Sequence, residues 1–210
     1  MPAEPPVKRA IAFFDGQNLF YAAKYAFGRR WPDYDPLKLA RTVCQTHGWQ
    51  LLKTRFYTGV PKANDDAFWN HFWTAKLARM GRLGIETFSR PLKYRNQTVK
   101  LPDGRTTTVL VGNEKGIDVR IALDIVAAAR NNACDVALIF SQDQDLSEVA
   151  DELRAISMQQ NRWIKTACAF PISPTYSNTR GINNSDWVRI DRSTYDACLD
   201  HYDYRPKGRR

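Results

Sequence analysis

The chain has 210 residues, enough for one domain with its own core and short appendages. Its 43% hydrophobic and 25% charged content excludes a largely disordered chain. The 31 Lys and Arg against 22 Asp and Glu leave a formal charge of +9, which points to a polyanionic partner, nucleic acid first.

Residues 1–7 are proline-rich and read as a loose tail. Residues 8–14 form the first expected strand, whose continuous apolar centre predicts a central position buried on both faces. This run is short and ends at Asp15, so it is a strand and not a signal peptide. No other stretch has the ~20 apolar residues of a membrane span, and a cytoplasmic protein is expected. A helix is predicted over 19–27, ended by Gly28. A second follows Asp35 as cap and Pro36 as first residue, and stops at Gly48. Residues 49–58 read as a strand, 67–80 as a helix capped by Asn64 or Asp65, and 84–89 as a third strand.

Residues 92–112 break this alternation and read as an inserted hairpin with its turn at Asp103-Gly104. Lys93, Arg95, Lys100 and Arg105 make it basic, either as a solvated flap or as an arm that contacts phosphates. Helix 114–131 follows, then strand 133–140, helix 145–160, strand 163–170, an edge strand at 187–190 and a last helix capped by Ser193. Residues 8–200 are expected to be one domain, with 201–210 a basic tail. Strands alternating with helices predict a three-layer α/β/α sandwich around a mainly parallel sheet.

Acids recur where strands end. Asp15 follows the first strand, Asp143 and Asp145 follow 133–140, and Asp118 opens the strongest helix. Ligands of open α/β sheets bind beyond the carboxyl ends of the strands, so three distant segments are expected to bring carboxylates to one edge. Two bare carboxylates about 4 Å apart repel by roughly 4 kcal/mol at an effective dielectric of 20. A hard divalent cation, Mg²⁺ or Mn²⁺, relieves that repulsion with oxygen ligands of this type. The amide oxygen of Asn18 can add a neutral ligand or bind a coordinated water. Asp124, six residues after Asp118, is turned roughly 240° around the helix and cannot face the same point squarely. Any one of these acids alone reads as a turn or cap residue; Asp145, for example, can cap the helix that begins near Leu146.

The four cysteines, Cys44, Cys134, Cys168 and Cys198, show no metal-binding pair spacing and fit a reducing compartment. His47, His71 and His201 show no ligand spacing either.

Phe14-Asp15-Gly16-Gln17-Asn18 resembles the opening motif of NYN domains, of the PIN-like nuclease superfamily. Lys115-Gly116-Ile117-Asp118, with Asp124 beyond it, resembles their second motif, and Ser141-Gln142-Asp143-Gln144-Asp145-Leu146 their third. The motifs come in the family's order and span about 8–170, with the LabA-like bacterial branch the most similar. The resemblance implies a PIN-like fold and Mg²⁺- or Mn²⁺-dependent hydrolysis of RNA. It assigns metal binding to Asp15, Asp118, Asp143 and Asp145, an auxiliary role to Asn18, and an orienting role to Ser141. Lys115 and Asp124 lie within its second motif. Gln142 departs from the glycine frequent at its position, and the hairpin lies outside the resemblance.

A haloacid-dehalogenase-type phosphatase needs a second acid two residues after the first, where this chain has Gln17. A calcium loop fails because Asp143-Gln144-Asp145 runs straight into Leu146-Ser147. The remaining rival is a PIN-like module that binds RNA or a regulatory protein partner without cutting, alone or as a homo-oligomer. Trp31, Tyr34, Tyr94 and Tyr176 can stack on unpaired bases or pack internally.

Overall fold

The side-chain alternation of the first strand sets the layering. In β1 (Lys8–Asp15), Ala10, Ala12 and Phe14 belong to one buried cluster, while Ile11 and Phe13 belong to the other. A strand with two apolar faces must be covered on both sides. In the computed structural model, which describes residues 2–101 and 104–206, it is.

After β1 come α1 (Gly16–Phe27), α2 (Pro36–Thr46), β2 (Trp49–Val60), α3 (Ala67–Arg82) and β3 (Glu86–Pro91). The hairpin β4 (Lys93–Lys100) and β5 (Thr106–Asn113) precedes α4 (Ile117–Arg130) and β6 (Val136–Phe140). Then follow α5 (Ser147–Gln159), β7 (Lys165–Pro171), β8 (Asp186–Ile190) and α6 (Arg192–Ala197). Six strands form one sheet in the order β3-β2-β1-β6-β7-β8, every neighbouring pair parallel. Leu19 and Ala23 of α1, Leu39 and Val43 of α2, Phe72 of α3 and Tyr195 of α6 pack on one face. Ile117, Ile121 and Ile125 of α4, with Val149, Leu153 and Ile156 of α5, cover the other. This is the expected α/β/α sandwich with its separate hairpin.

The strand order places the functional edge. From β1 the chain steps outward to β2 and β3, then crosses back to β6 and steps outward the other way. The reversal leaves a crevice beyond the carboxyl ends of β1 and β6, where Asp15 and Asp143 are.

Several boundaries differ from the sequence expectation for local reasons. Helix α1 starts at Gly16 and not at residue 19, because Asp15 is both the last strand residue and the helix cap, its Oδ1 accepting the Asn18 N–H at 3.0 Å. Asp66, not Asn64 or Asp65, caps α3 by accepting from Trp69 N. Asp191, not Ser193, caps α6. Asp145 caps nothing: Asp143 caps a 3-10 turn at Gln144–Leu146, and α5 starts only after it. Packing continues past residue 200, since Tyr204 is 4% exposed within the larger cluster. Of the predicted hairpin turn, Gly104 has φ +85° and Asp103 lies outside the described residues, as do 207–210 of the expected tail.

Candidate active site

Asp15, Asp118 and Asp143 converge. One carboxylate oxygen from each lies within 4.8 Å of the others, although the residues come from the end of β1, the first turn of α4 and the loop after β6. Each bare pair at that separation repels by roughly 3 kcal/mol at an effective dielectric of 20.

Asp15 is the innermost of the three, 4% exposed. Burial pushes its carboxyl up to about 7, with Asp118 and Asp143 adding to the rise against hydrogen bonds from Asn18 N and Ser141. Burial also raises Asp118, and Asp143 and Asp145 push it the same way. A set of oxygen donors whose ionisation is costly when bare suits a hard divalent cation, which removes both the repulsion and the proton.

The loop after β6 is held from several directions. Ser141 Oγ donates to Asp15 Oδ2 at 3.2 Å and accepts from Asp143 N at 3.1 Å, coupling two of the acids through one hydroxyl. Asn18 Oδ1 accepts from Gln142 N at 2.8 Å, so in this arrangement it fixes the loop and does not point a free oxygen at the acids. The departure at Gln142 has a structural role: its Nε2 donates to the carbonyls of Asn178 and Arg180. Gln144 Nε2 does the same to Gly181 O at 2.9 Å. The two glutamines clasp the segment between β7 and β8 beside the acids, which a glycine cannot do.

Three sequence candidates lie elsewhere. Asp145 is exposed at the rim and outside the converging group, close enough to raise Asp118 through charge. Asp124 accepts from Tyr57 Oη at 2.9 Å and Arg120 Nε at 3.0 Å, facing Arg55 and Phe88 and not the three acids. Lys115 is exposed, just before the left-handed Gly116 that caps α4.

Glu114, which in the sequence only opens the predicted helix 114–131, also lies near the acids. It accepts from Gly59 N, and burial with the nearby charges of Asp15 and Asp118 pushes it to about 7. The signal that could have found it is Gly59 at the end of β2, a position without room for a side chain. A Cβ there would meet Leu92 Cδ2 at 2.3 Å and Glu114 Cγ at 2.6 Å. Gly59→Ala is therefore expected to lower stability by about 1–3 kcal/mol in urea unfolding. Gly81→Ala, in open space on α3, is expected to be neutral or slightly stabilising. Equal effects would refute the close approach.

The hairpin is anchored beside the site, with Leu92 N donating to Val60 O and Glu114 following β5. Lys93 pairs with Asn113 at its base, whereas Lys100 pairs with Thr106 at the far end, roughly 20 Å away at strand rise. The two-residue strand period puts Lys93 and Arg95 on one face and Lys100 on the other. Arg105 adjoins the far end, so the four cations do not form one patch at the acids.

Of the aromatic candidates, Tyr34 is fully buried against Phe14 and Phe56. Trp31 packs on Phe68, Trp69 and Phe72. Tyr94 and Tyr176 are partly exposed, and Tyr176 stacks on Tyr25. All four cysteines are free and buried. Among the described residues no helix is long and apolar enough to cross a membrane.

The family model for the NYN domain matches residues 9–166. A Vibrio parahaemolyticus RIMD 2210633 protein of unknown function is similar in fold, with TM-score 0.55 and 19% identity over 90% of this chain and 97% of that one. A teicoplanin-biosynthesis deacetylase, in complex with teicoplanin, matches with TM-score 0.33 and 18% identity over 75% of this chain and 68% of that one, too low to carry an argument. No curated protein matches.

Proposed function

The chain belongs to the NYN-domain family of the PIN-like nuclease superfamily, and from that premise we propose that it is a divalent-metal-dependent ribonuclease. The observation that supports this most is the convergence of Asp15, Asp118 and Asp143 at the reversal of strand order, in a chain of net charge +9. A basic chain attracts the polyanion, and the acid group offers the place where a cation can meet a phosphodiester.

In this reading Asp15, Asp118 and Asp143 hold Mg²⁺ or Mn²⁺, with Asp145 at the rim. The ion supplies Lewis acidity towards water and the scissile phosphate. Ser141 keeps the Asp15 carboxylate and the Asp143 backbone in fixed relation. Asn18 acts one step further out, by pinning the Gln142 backbone. Glu114, raised to about 7, can take up the proton of an attacking water near neutral pH. In the same reading Lys93 and Arg95, near the hairpin base, meet phosphates flanking the site, and Lys100 and Arg105, at its far end, meet more distant ones.

The test is cleavage of end-labelled single-stranded RNA and DNA with Mn²⁺, Mg²⁺ or EDTA, beside Asp143→Asn. We expect metal-dependent cutting of RNA and at least about a hundredfold loss in the variant, beyond what losing a residue that merely supports a ligand costs. Salt-sensitive RNA binding in both proteins without cutting in either would replace this reading with a non-catalytic RNA-binding module.

A further inference from the structure

One face of α1 carries two large exposed rings. Asn18, Tyr21, Lys24 and Tyr25 recur at the three- and four-residue spacing of a single helix face. Tyr21 is 45% exposed and Tyr25 62%. Their rings are near-parallel, with centroids 6.5 Å apart and planes 24° apart. Tyr176, from the segment between β7 and β8, extends the row at 6.1 Å and 16° from Tyr25. The Lys24 ammonium is 5.9 Å from the Tyr21 ring centroid.

Both sides of this row are tied to the acids. Asn18 grips the backbone next to Asp143, and at helical rise Tyr21 and Tyr25 lie roughly 5 and 10 Å further along the axis. The segment carrying Tyr176 is clasped to the same loop by Gln142 and Gln144, through the carbonyls of Asn178, Arg180 and Gly181. Helix α1 and this segment thus carry a row of rings outward from the acid group. Lys24 and Arg180, both exposed, provide positive charge along it.

We propose that Tyr21, Tyr25 and Tyr176 form a base-stacking track for single-stranded nucleic acid leading to the acid group. Every base offers a π-face, so such a row holds a strand without reading its sequence, while the flanking cations meet the phosphates. A duplex keeps its bases stacked internally, so the track favours unpaired strands. A protein partner would also use exposed tyrosines, but the interleaved cations, the net charge of +9 and the direct line to the acids favour a polyanion. The track rests on the ribonuclease reading only for what happens to the strand once it arrives.

The experiment is fluorescence anisotropy in EDTA, where nothing is cut, with labelled oligouridine and an RNA duplex of equal length. The proteins are wild type, Tyr21→Ala/Tyr25→Ala, Tyr21→Phe/Tyr25→Phe and Lys24→Ala. We expect the alanine pair to bind oligouridine about tenfold or more weakly. The phenylalanine pair, which keeps the rings, should match wild type, and duplex affinity should not change. Lys24→Ala should reduce the salt slope by about one. Both tyrosines are exposed, so thermal unfolding should show all variants folded. Wild-type affinity in the alanine pair overturns the track, as does equal weakening for duplex or equal weakening in the phenylalanine pair. Ring-dependent binding without any Mn²⁺-dependent cutting keeps the track and removes the ribonuclease; cutting with ring-independent binding does the reverse.

Discussion

Asp15→Asn is expected to abolish RNA cleavage and, at the same time, to stabilise the metal-free protein. Both effects come from one buried charge. The carboxyl of Asp15 titrates near 3.8 when free and is pushed to about 7 in the fold, chiefly by burial. The folded chain therefore keeps a proton that the unfolded chain releases. The associated stabilisation is complete below about pH 4 and is lost as the pH rises through 7. Above that, ionised Asp15 without a cation costs up to about 4 kcal/mol. Glu114 shifts in the same direction, from 4.5 to about 7, and adds to the dependence. In EDTA at pH 8 the asparagine variant should unfold several degrees above wild type, at roughly 2–4 °C per kcal/mol for a chain of this size. The gap should narrow through pH 5 and close by about pH 4. Mn²⁺ should raise the wild-type midpoint more as the pH rises, because ligands must lose their protons to bind. Cleavage by the variant should fall more than about a hundredfold. Equal midpoints for the two proteins in EDTA at pH 8 would mean that Asp15 carries no such burden.

The acids that the sequence exposes are those whose local surroundings announce them. An apolar run that gives way to an acid and then to a helix is visible at Phe14-Asp15 and, after two intervening residues, from Phe140 to Asp143, and the structure puts both at one crevice. The layering was readable for a related reason, because β1 has apolar residues on both faces. What could not be read depends on contacts between distant segments. Tyr34 stands between Asp33 and Asp35 and looks like a surface residue, yet it is buried because it bridges to Leu199 and lies on Phe14 and Phe56. Glu114 looks like an ordinary acid before a helix until Gly59, 55 residues earlier, is seen beneath it. Asp124 shares a helix with Asp118, but helical rotation and the hydroxyl of Tyr57 take it elsewhere. Tyr204 sits in what reads as a basic tail, yet its ring packs on Phe72 and over the Lys76 ammonium, contacts between segments far apart in sequence.

Asp200→Ala is expected to destabilise the protein by about 3–5 kcal/mol, lowering the midpoint on the order of 10 °C. Lys76 is 0% exposed, and its ammonium donates to Asp200 Oδ2 at 3.2 Å and to Tyr34 O at 3.1 Å. It lies 4.8 Å from the Tyr204 ring centroid. Burial lowers the pKa of Lys76, and Asp200 is the largest influence raising it again. Removing Asp200 leaves a buried cation with one neutral carbonyl and two ring faces. Lys76→Met removes the charge instead, and should cost less, because Asp200 keeps the Tyr204 hydroxyl and some access to water. Pairing Lys76→Met with Asp200→Asn should recover most of the loss, since neither substitution then strands a charge. The effect should reach the acid group as well. The carbonyl that Lys76 holds belongs to Tyr34, whose hydroxyl donates to Gly16 O at 3.3 Å, one residue beyond Asp15. Loosening the latch removes a support from the start of α1, so cleavage by Asp200→Ala should fall at temperatures well below its own midpoint. A midpoint within about 2 °C of wild type would show that the ion pair does not hold the C-terminal segment in place.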